Sequence, residues 1–173
     1  MHFNDTEARA QARAYVQAGQ MDKLQNLAEQ ALQFAPDQVD WIGWMAYALS
    51  LQQKPEPALL LYEKLTQLQP QNSSHWCNLG NNLCELGREI EALEPLQTAY
   101  RLGARSAAIF FALARSQTAH GDLTAALGSI DQALLLEPTD AEFRILRARL
   151  LAALDDWTQA NAEINGILDQ NLS

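Results

Sequence analysis

The chain has 173 residues, 48 % of them apolar, and a formal net charge of −9, which suits one globular domain and hardly two. No stretch approaches the roughly 20 continuous apolar residues that a membrane span needs. The N-terminus MHFNDTEARAQ lacks the basic start and apolar run of a secretory signal. A field of negative sign repels nucleic-acid phosphates. These features argue against membrane, secreted and nucleic-acid-binding proteins and predict a cytoplasmic location.

The sequence repeats with a fixed period. Pro36 and Pro70 are 34 positions apart, and Pro138 follows Pro70 by 68 positions, twice that distance. Five units fit without an insertion, over residues 5–38, 39–72, 73–106, 107–140 and 141–173. The eighth residue of every unit is small: Ala12, Ala46, Gly80, Ala114 and Ala148. Two helices can cross closely only where neither carries a large side chain. We therefore expect one domain, residues 1–173, built of stacked helix pairs.

In chain order, each unit predicts a first helix, a tight turn and a second helix that runs to the proline column. Unit one opens with the capping-box pattern Asn4-x-x-Glu7. Gly19, Gly87 and Gly121 share one column and predict the left-handed residue that follows a helix. Ser106 is the predicted N-cap of unit four, and Thr139-x-x-Glu142 is the predicted capping box of unit five.

The sequence offers little catalytic chemistry. Cys77 and Cys84 are seven residues apart on one predicted helix, a separation of about 10 Å, whereas a disulfide needs Cα atoms within about 7 Å. We expect two free, at least half-buried thiols in a reducing compartment. The three histidines are far apart in the sequence, and neither His75 nor His120 has an acid or thiol at metal-ligand spacing. We predict no cofactor, no metal and no enzymatic activity.

The pattern W-x-x-L-G-x-x-L…G…A…A of unit three resembles a tetratricopeptide repeat (TPR). It is carried by Trp76, Leu79, Gly80, Leu83, Gly87, Ala92, Leu96 and Ala99. The resemblance covers residues 5–173 and implies an all-α protein, a right-handed α-solenoid of stacked hairpins. Two units depart from the pattern at positions where the family has large apolar residues. These positions hold Ala8 and Gln11 in unit one, and Arg144 and Arg147 in unit five.

The resemblance also implies an inner groove, lined by the first helices, that binds a peptide or a helix of another protein. The candidate groove residues at the family positions are Arg9, Arg13, Trp44, Tyr47, Asn78, Asn81, Phe111, Arg115 and Arg149. Arginine and aromatic residues anchor many interfaces. The alternative for Trp44 and Phe111 is packing between neighbouring helices. The alternative for the arginines is pairing with Glu85, Glu142 or other local acids.

The predicted function is a non-catalytic protein-interaction module. One alternative is the docking or oligomerisation region of a larger enzyme, as in chains that place such repeats ahead of a sulfotransferase domain. A second is a chaperone similar to those of type III secretion. The groove positions do not complete the carboxylate clamp of chaperone-tail cochaperones, which argues against that class. Ile164, Ile167 and Leu168 are expected to leave an uncovered apolar face on unit five, through which the chain could self-associate.

Overall fold

The computed structural model of the protein describes residues 4–170, with side chains as far as Leu168, and in this part the backbone forms ten α-helices and no strand. The helices are α1 (Asp5–Gln17), α2 (Met21–Phe34), α3 (Val39–Leu51), α4 (Pro55–Leu68), α5 (Ser73–Glu85), α6 (Glu89–Arg101), α7 (Ala107–Ala119), α8 (Leu123–Leu136), α9 (Ala141–Ala153) and α10 (Trp157–Gln170). The predicted all-α class is confirmed.

The helices follow the 34-residue period. The odd-numbered helices begin at the first residues of the five units: Asp5, Val39, Ser73, Ala107 and Ala141. Each helix packs against the next one along the chain, and α5 also contacts α7. Contacts between neighbours in sequence are the pattern of a solenoid, in which each repeat is stabilised by the repeats beside it. That residues 1–173 form a single domain stays a prediction.

The turn inside each unit places one residue in the left-handed region. The φ angles are 66° at Gly19, 70° at Gly87 and 83° at Gly121, as predicted. The same column holds Gln53 at 57° and Asp155 at 62° in units two and five. In every unit the next N–H donates back to the first helix, as Arg88 N does to Leu83 O at 2.8 Å. This bond closes the helix whatever the residue type in the column.

Side-chain caps begin four of the first helices, and two of these caps, Asn4 and Ser106, are the ones that the sequence predicts. Asn4 accepts a hydrogen bond from the N–H of Glu7 at 3.4 Å, and Ser106 accepts one from Ile109 at 3.4 Å. The prediction for Thr139 is wrong, because Asp140 caps α9 by accepting from the N–H of Phe143 at 2.9 Å. The helix begins at Ala141, so the residue immediately before it takes the N-cap position.

The small column lies at the crossing of the two helices of each unit. Ala12, Ala46 and Ala114 are fully buried. A Cβ atom added to Gly80 would lie 2.5 Å from the side chain of Leu96, which is itself fully buried. Glycine is therefore required in unit three, because the residue opposite it is leucine. In unit four the same two columns hold Ala114 and Ile130, so alanine is accommodated where the second residue is isoleucine.

Unit five packs on ion pairs where the other units pack on apolar side chains. Arg144 Nε donates to Glu163 at 3.0 Å, and Arg147 donates to Glu163 at 2.7 Å. Arg147 Nε also donates to Asp131 of α8 at 2.6 Å. The side chains of Arg144, Arg147 and Glu163 are only 13 %, 20 % and 18 % exposed. The two arginines that depart from the family pattern are thus accommodated by carboxylates from α8 and α10.

Candidate functional site

A depression of about 280 Å³ lies between the first helices of units three, four and five. It is lined by Asn81, Cys84, Glu85, Ala108, Phe111, Ala112, Arg115, Glu137 and Phe143. We call it the first-helix groove. It brings together three of the predicted groove residues, Asn81, Phe111 and Arg115, from α5 and α7.

Arg115 is held on one side by its own chain. Its guanidinium donates to Glu89 Oε1 of α6 at 2.6 Å and to the backbone carbonyl of Cys84 at 3.2 Å. Partial burial opposes ionisation of Glu89, but its backbone N–H and the Arg115 guanidinium outweigh burial and lower the pKa of the Glu89 carboxyl. A guanidinium has five N–H donors, so this arrangement fixes Arg115 and leaves further donors for a ligand.

Phe111 and Trp44, for which packing between neighbouring helices was the alternative to ligand binding, both contact other aromatic side chains. The ring of Phe111 lies 4.8 Å from that of Phe143, with 32° between their planes. Trp44 packs edge-on against Trp41 of its own helix at 4.7 Å. Both side chains are half-buried. Phe111 therefore contributes to the unit-four to unit-five contact while one part of its ring faces the groove.

The polar groove candidates of units two and three, Tyr47, Asn78 and Asn81, are not held by hydrogen bonds to described residues. Tyr47 is 41 % exposed, Asn78 is exposed and Asn81 is half-buried. None of these side chains hydrogen-bonds to another residue among those described. An amide offers two donors and an acceptor oxygen. Asn81 thus presents an unused amide within the first-helix groove, beside Arg115.

The remaining arginines lie apart from this groove. Arg9 donates to Asp5 at 2.6 Å, pairs with Asp40 and lies over the ring of Trp41. Hydrogen bonds from Arg9 and Trp41 lower the pKa of the Asp5 carboxyl. Arg13 is exposed on α1 and forms no ion pair with a described residue. Arg149 lines a different depression, on the outer side of α9.

Sequence reasoning missed Glu89 and Phe143. Glu89 precedes Arg115 by 26 residues, and the pair forms only because the start of one second helix lies beside the next first helix. A signal for Phe143 was present, because the same column holds Trp41 and Ile109. Large side chains in that column pack against the preceding first helix.

The thiols behave as small buried groups. Cys77 is half-buried and Cys84 buried, and both are free, as predicted. Burial raises the pKa of each thiol, and Cys84 Sγ lies 3.7 Å from Ser116 Oγ. Within residues 4–170, no three histidine, cysteine or acidic side chains cluster as metal ligands would. In the same span, every helix is too short or too polar to cross a membrane.

The fold is similar to several solved structures. MamA residues 41 to the end, from Desulfovibrio magneticus RS-1, superposes with a TM-score of 0.85 at 14 % identity, over 97 % of this chain and 96 % of that one. YrrB, described as a TPR protein with an unusual peptide-binding site, gives 0.79 at 17 % identity, over 91 % and 81 %.

TTC0263, a thermophilic TPR protein of Thermus thermophilus, gives a TM-score of 0.66 at 22 % identity, over 96 % of this chain and 91 % of that one. No protein-family model matches the sequence, and no curated protein matches it either. At these identities the likeness establishes the fold, and it confirms the predicted right-handed α-solenoid of helix–turn–helix hairpins.

Proposed function

We propose, from the premise that this chain has the tetratricopeptide-repeat fold, that it is a non-catalytic module that binds a segment of another protein in its first-helix groove. The observation that carries the proposal is Asn81, whose amide has no hydrogen-bond partner among the described residues although it lies in the groove beside Arg115. Likeness to a peptide-binding TPR protein supports the same class of function. The proposal places the protein in the cytoplasm.

The groove residues suit the backbone of an extended or helical segment. The Asn81 amide can donate to a backbone carbonyl and accept from a backbone N–H, so it can hold a peptide in several registers. The free donors of Arg115 suit a carbonyl or carboxylate oxygen of the segment. The part of the Phe111 ring that lines the groove can contact an apolar side chain of the segment. Glu85 and Glu137 line the same groove and favour a segment that also carries a lysine or arginine.

The contributions to affinity follow from these contacts. A hydrogen bond to a charged group is worth about 1.5–3 kcal/mol, so removing Arg115 should weaken binding about tenfold or more. Arg115→Ala also removes the ion pair with Glu89. A loss of binding in this variant would therefore combine the loss of a ligand contact with a change in how α6 and α7 are held together. The effects of substitutions at Asn78 and Asn81 are simpler to interpret, because neither side chain has a hydrogen bond to a described residue that would be lost.

The test is capture of partners from a native cell extract by three immobilised proteins. These are the intact chain, an Asn78→Ala/Asn81→Ala variant, and a Gln30→Ala/Gln67→Ala control that removes two exposed amides from second helices. Captured proteins are identified by mass spectrometry, and circular dichroism checks that helicity is unchanged. We expect one set of proteins to bind the intact chain and the control and to be lost from the Asn78/Asn81 variant. Equal capture by all three would contradict the groove assignment.

A further inference from the structure

A further depression lies between the second helices α6 and α8, over the first helix α7. Its volume is about 370 Å³, within the range of about 300–1,000 Å³ that is usual for ligand sites. Phe110 and Leu113 of α7 form its buried floor. Gln97 and Tyr100 of α6 form one rim, and Gln132 of α8 lies on the other. It shares no described lining residue with the first-helix groove. We call it the outer cleft.

Unit four departs from the three units before it at three positions that line the outer cleft. Gln117, Gly128 and Ser129 stand where those units hold larger or less polar side chains. The residues they replace are, column by column, Tyr15, Leu49 and Leu83, then Asn26, Leu60 and Glu94, then Leu27, Leu61 and Pro95. A Cβ atom added to Gly128 would meet no atom within 4 Å, so packing of the hairpin does not require this glycine. The three replacements instead open the cleft and give it polar walls.

The polar groups of the outer cleft are of two kinds, fixed and unused. The side chains of Gln117 and Ser129 hydrogen-bond at 2.7 Å and join α7 to α8. The side chains of Gln97 and Gln132 are exposed and hydrogen-bond to no described residue. Each carboxamide has two donors and an acceptor oxygen. The cleft therefore carries one unused amide on each rim, on either side of an apolar floor.

This lining suits an uncharged ligand that both donates and accepts hydrogen bonds. Every described residue of the lining is uncharged, so a charged ligand would lose hydration without gaining an ion pair. A carboxamide group matches the unused amides of Gln97 and Gln132, because each can donate to the other's oxygen. A sugar ring fits less well. Arg105 already lies 3.7 Å over the Tyr100 ring, and Phe110 is only 7 % exposed, which leaves little aromatic face for ring stacking.

The openness of the cleft favours a side chain that a larger molecule presents. Gln97, Tyr100, Gly128 and Gln132 are all exposed, so a free small molecule would be covered on one side only. It would still lose its translational and rotational freedom on binding. A side chain on a polypeptide shares that loss with its neighbours, which can contact the rims. Its methylene groups can rest on Phe110 and Leu113.

We propose that the outer cleft binds an uncharged segment of a partner protein through the carboxamide of a glutamine or asparagine side chain. This site is independent of the first-helix groove, whose described lining carries Arg115, Glu85 and Glu137. The chain would then hold protein segments on two surfaces, one along the first helices and one between two second helices.

The proposal is tested with an uncharged, terminally blocked pentapeptide that carries a central glutamine between two leucines. Matched peptides carry glutamate or methionine at the centre, and free N-acetylglutamine amide represents a small-molecule ligand. Binding is followed by NMR titration of the isotope-labelled chain, through the side-chain amide signals of Gln97 and Gln132.

Three variants accompany the intact chain in this titration. Gly128→Leu fills the outer cleft and should fold, because unit two holds Leu60 in this column, 67 % exposed, and leucine favours a helix over glycine. Asn26→Leu adds a leucine in the same column of unit one and is the matched control. Asn78→Ala/Asn81→Ala separates the outer cleft from the first-helix groove.

We expect the glutamine peptide to bind about fivefold tighter than the glutamate and methionine peptides, the effect of one neutral hydrogen bond, and tighter than N-acetylglutamine amide. Gly128→Leu should weaken it about tenfold or more without lowering the melting temperature, whereas Asn26→Leu and Asn78→Ala/Asn81→Ala should bind as the intact chain does. Absent binding, no preference for glutamine, or full binding by Gly128→Leu would overturn the proposal. Equally tight binding of N-acetylglutamine amide would assign the cleft to a small molecule instead. Loss of binding only in Asn78→Ala/Asn81→Ala would place the peptide in the first-helix groove and refute the outer cleft while supporting the proposed function.

Discussion

Units four and five have the same backbone plan but different interiors. In unit four the fourth and seventh columns hold Phe110 and Leu113, which are 7 % and 5 % exposed. In unit five the same columns hold Arg144 and Arg147, which bind Glu163 and Asp131. The first helix has 13 residues and the second has 14 in both units. The hairpin therefore does not require an apolar interior, provided that each charge placed between the helices meets a carboxylate.

The ionic interior also ties the two units together. Arg147 reaches Asp131 of α8 with one nitrogen and Glu163 of α10 with another. Partial burial acts to lower the pKa of Arg147, but the hydrogen bond and charge of Asp131, together with Glu163, raise it overall. Unit five is thus attached to unit four by directional bonds in addition to the apolar cluster, which continues into α9 at Phe143 and Leu150.

The largest effect is expected where the ionic interior loses its shared carboxylate. Glu163→Ala leaves Arg144 and Arg147 partly buried without this partner and should cost on the order of 3 kcal/mol in the free energy of unfolding. The matched control is Ser129→Ala, in the same column of unit four, where one neutral bond to Gln117 is lost and the cost should be about 1 kcal/mol. Urea denaturation followed by circular dichroism measures both. Equal losses would show that the ion pairs do not hold unit five.

The apolar interior is broken by adding one methyl group. Gly80→Ala places a Cβ 2.5 Å from Leu96, and overpacking of this kind costs about 1–3 kcal/mol, against a gain of about 1 kcal/mol in helix propensity. We expect a net loss in thermal stability. Adding Leu96→Ile recreates the Ala114 and Ile130 pair of unit four and should restore most of it. A double variant no more stable than Gly80→Ala would refute this account of the small column.

A smaller effect sharpens the comparison of turns. Gln53 and Asp155 hold φ angles of 57° and 62° where units one, three and four use glycine. Gln53→Gly should stabilise the chain by about 1 kcal/mol, because a left-handed residue with a Cβ is strained. Asp155→Gly should gain less, since aspartate tolerates that conformation better than glutamine. Melting temperatures of the two variants give the order, and Gln20→Gly, outside the column, should not stabilise.

The smallest expected effect is the loss of stability at low pH through the Glu89–Arg115 ion pair. The folded-state pKa of Glu89 is lowered from the usual 4.5, so the Glu89–Arg115 pair contributes its full stability above that pH and loses it as the pH falls through the folded-state value. The side chains of Glu89 and Arg115 are 24 % and 36 % exposed, which limits the effect to less than about 1 kcal/mol. Glu89→Gln should therefore flatten the stability profile below pH 4.5. If Glu89→Gln left the pH dependence of stability unchanged, the Glu89–Arg115 pair would not contribute to it.

The parts of the fold that could be predicted are those that repeat. Helix starts, the small column and three left-handed glycines are visible because the same residue type returns at the same position. Gln53 could not be predicted, because its conformation is imposed by the hydrogen bond from Lys54 N to Leu49 O at 3.0 Å. The Thr139 cap was wrong although the start of α9 at Ala141 was predicted, because the capping-box pattern was placed one residue too early and Asp140 is the residue before the helix.

The site was less accessible than the fold. The alternative for the groove arginines was pairing with Glu85, Glu142 or other local acids, and other acids do pair with two of them, Asp40 with Arg9 and Glu89 with Arg115. Each of these pairs joins two different helices, so its partner depends on how the hairpins stack. That Arg9, Arg13, Trp44, Tyr47, Asn78, Asn81, Phe111, Arg115 and Arg149 bind a ligand stays a prediction.

The most direct test of binding in the first-helix groove is site-specific photocrosslinking. A photoreactive phenylalanine derivative replaces Glu85, an exposed residue of the groove, or Leu60, which is 67 % exposed on the second helix of unit two. We predict that the Glu85 position crosslinks a discrete partner in native extract and that excess intact chain suppresses the product, whereas excess Asn78→Ala/Asn81→Ala variant does not. Crosslinking of the same protein at Leu60, or suppression by both competitors alike, would contradict the proposed function.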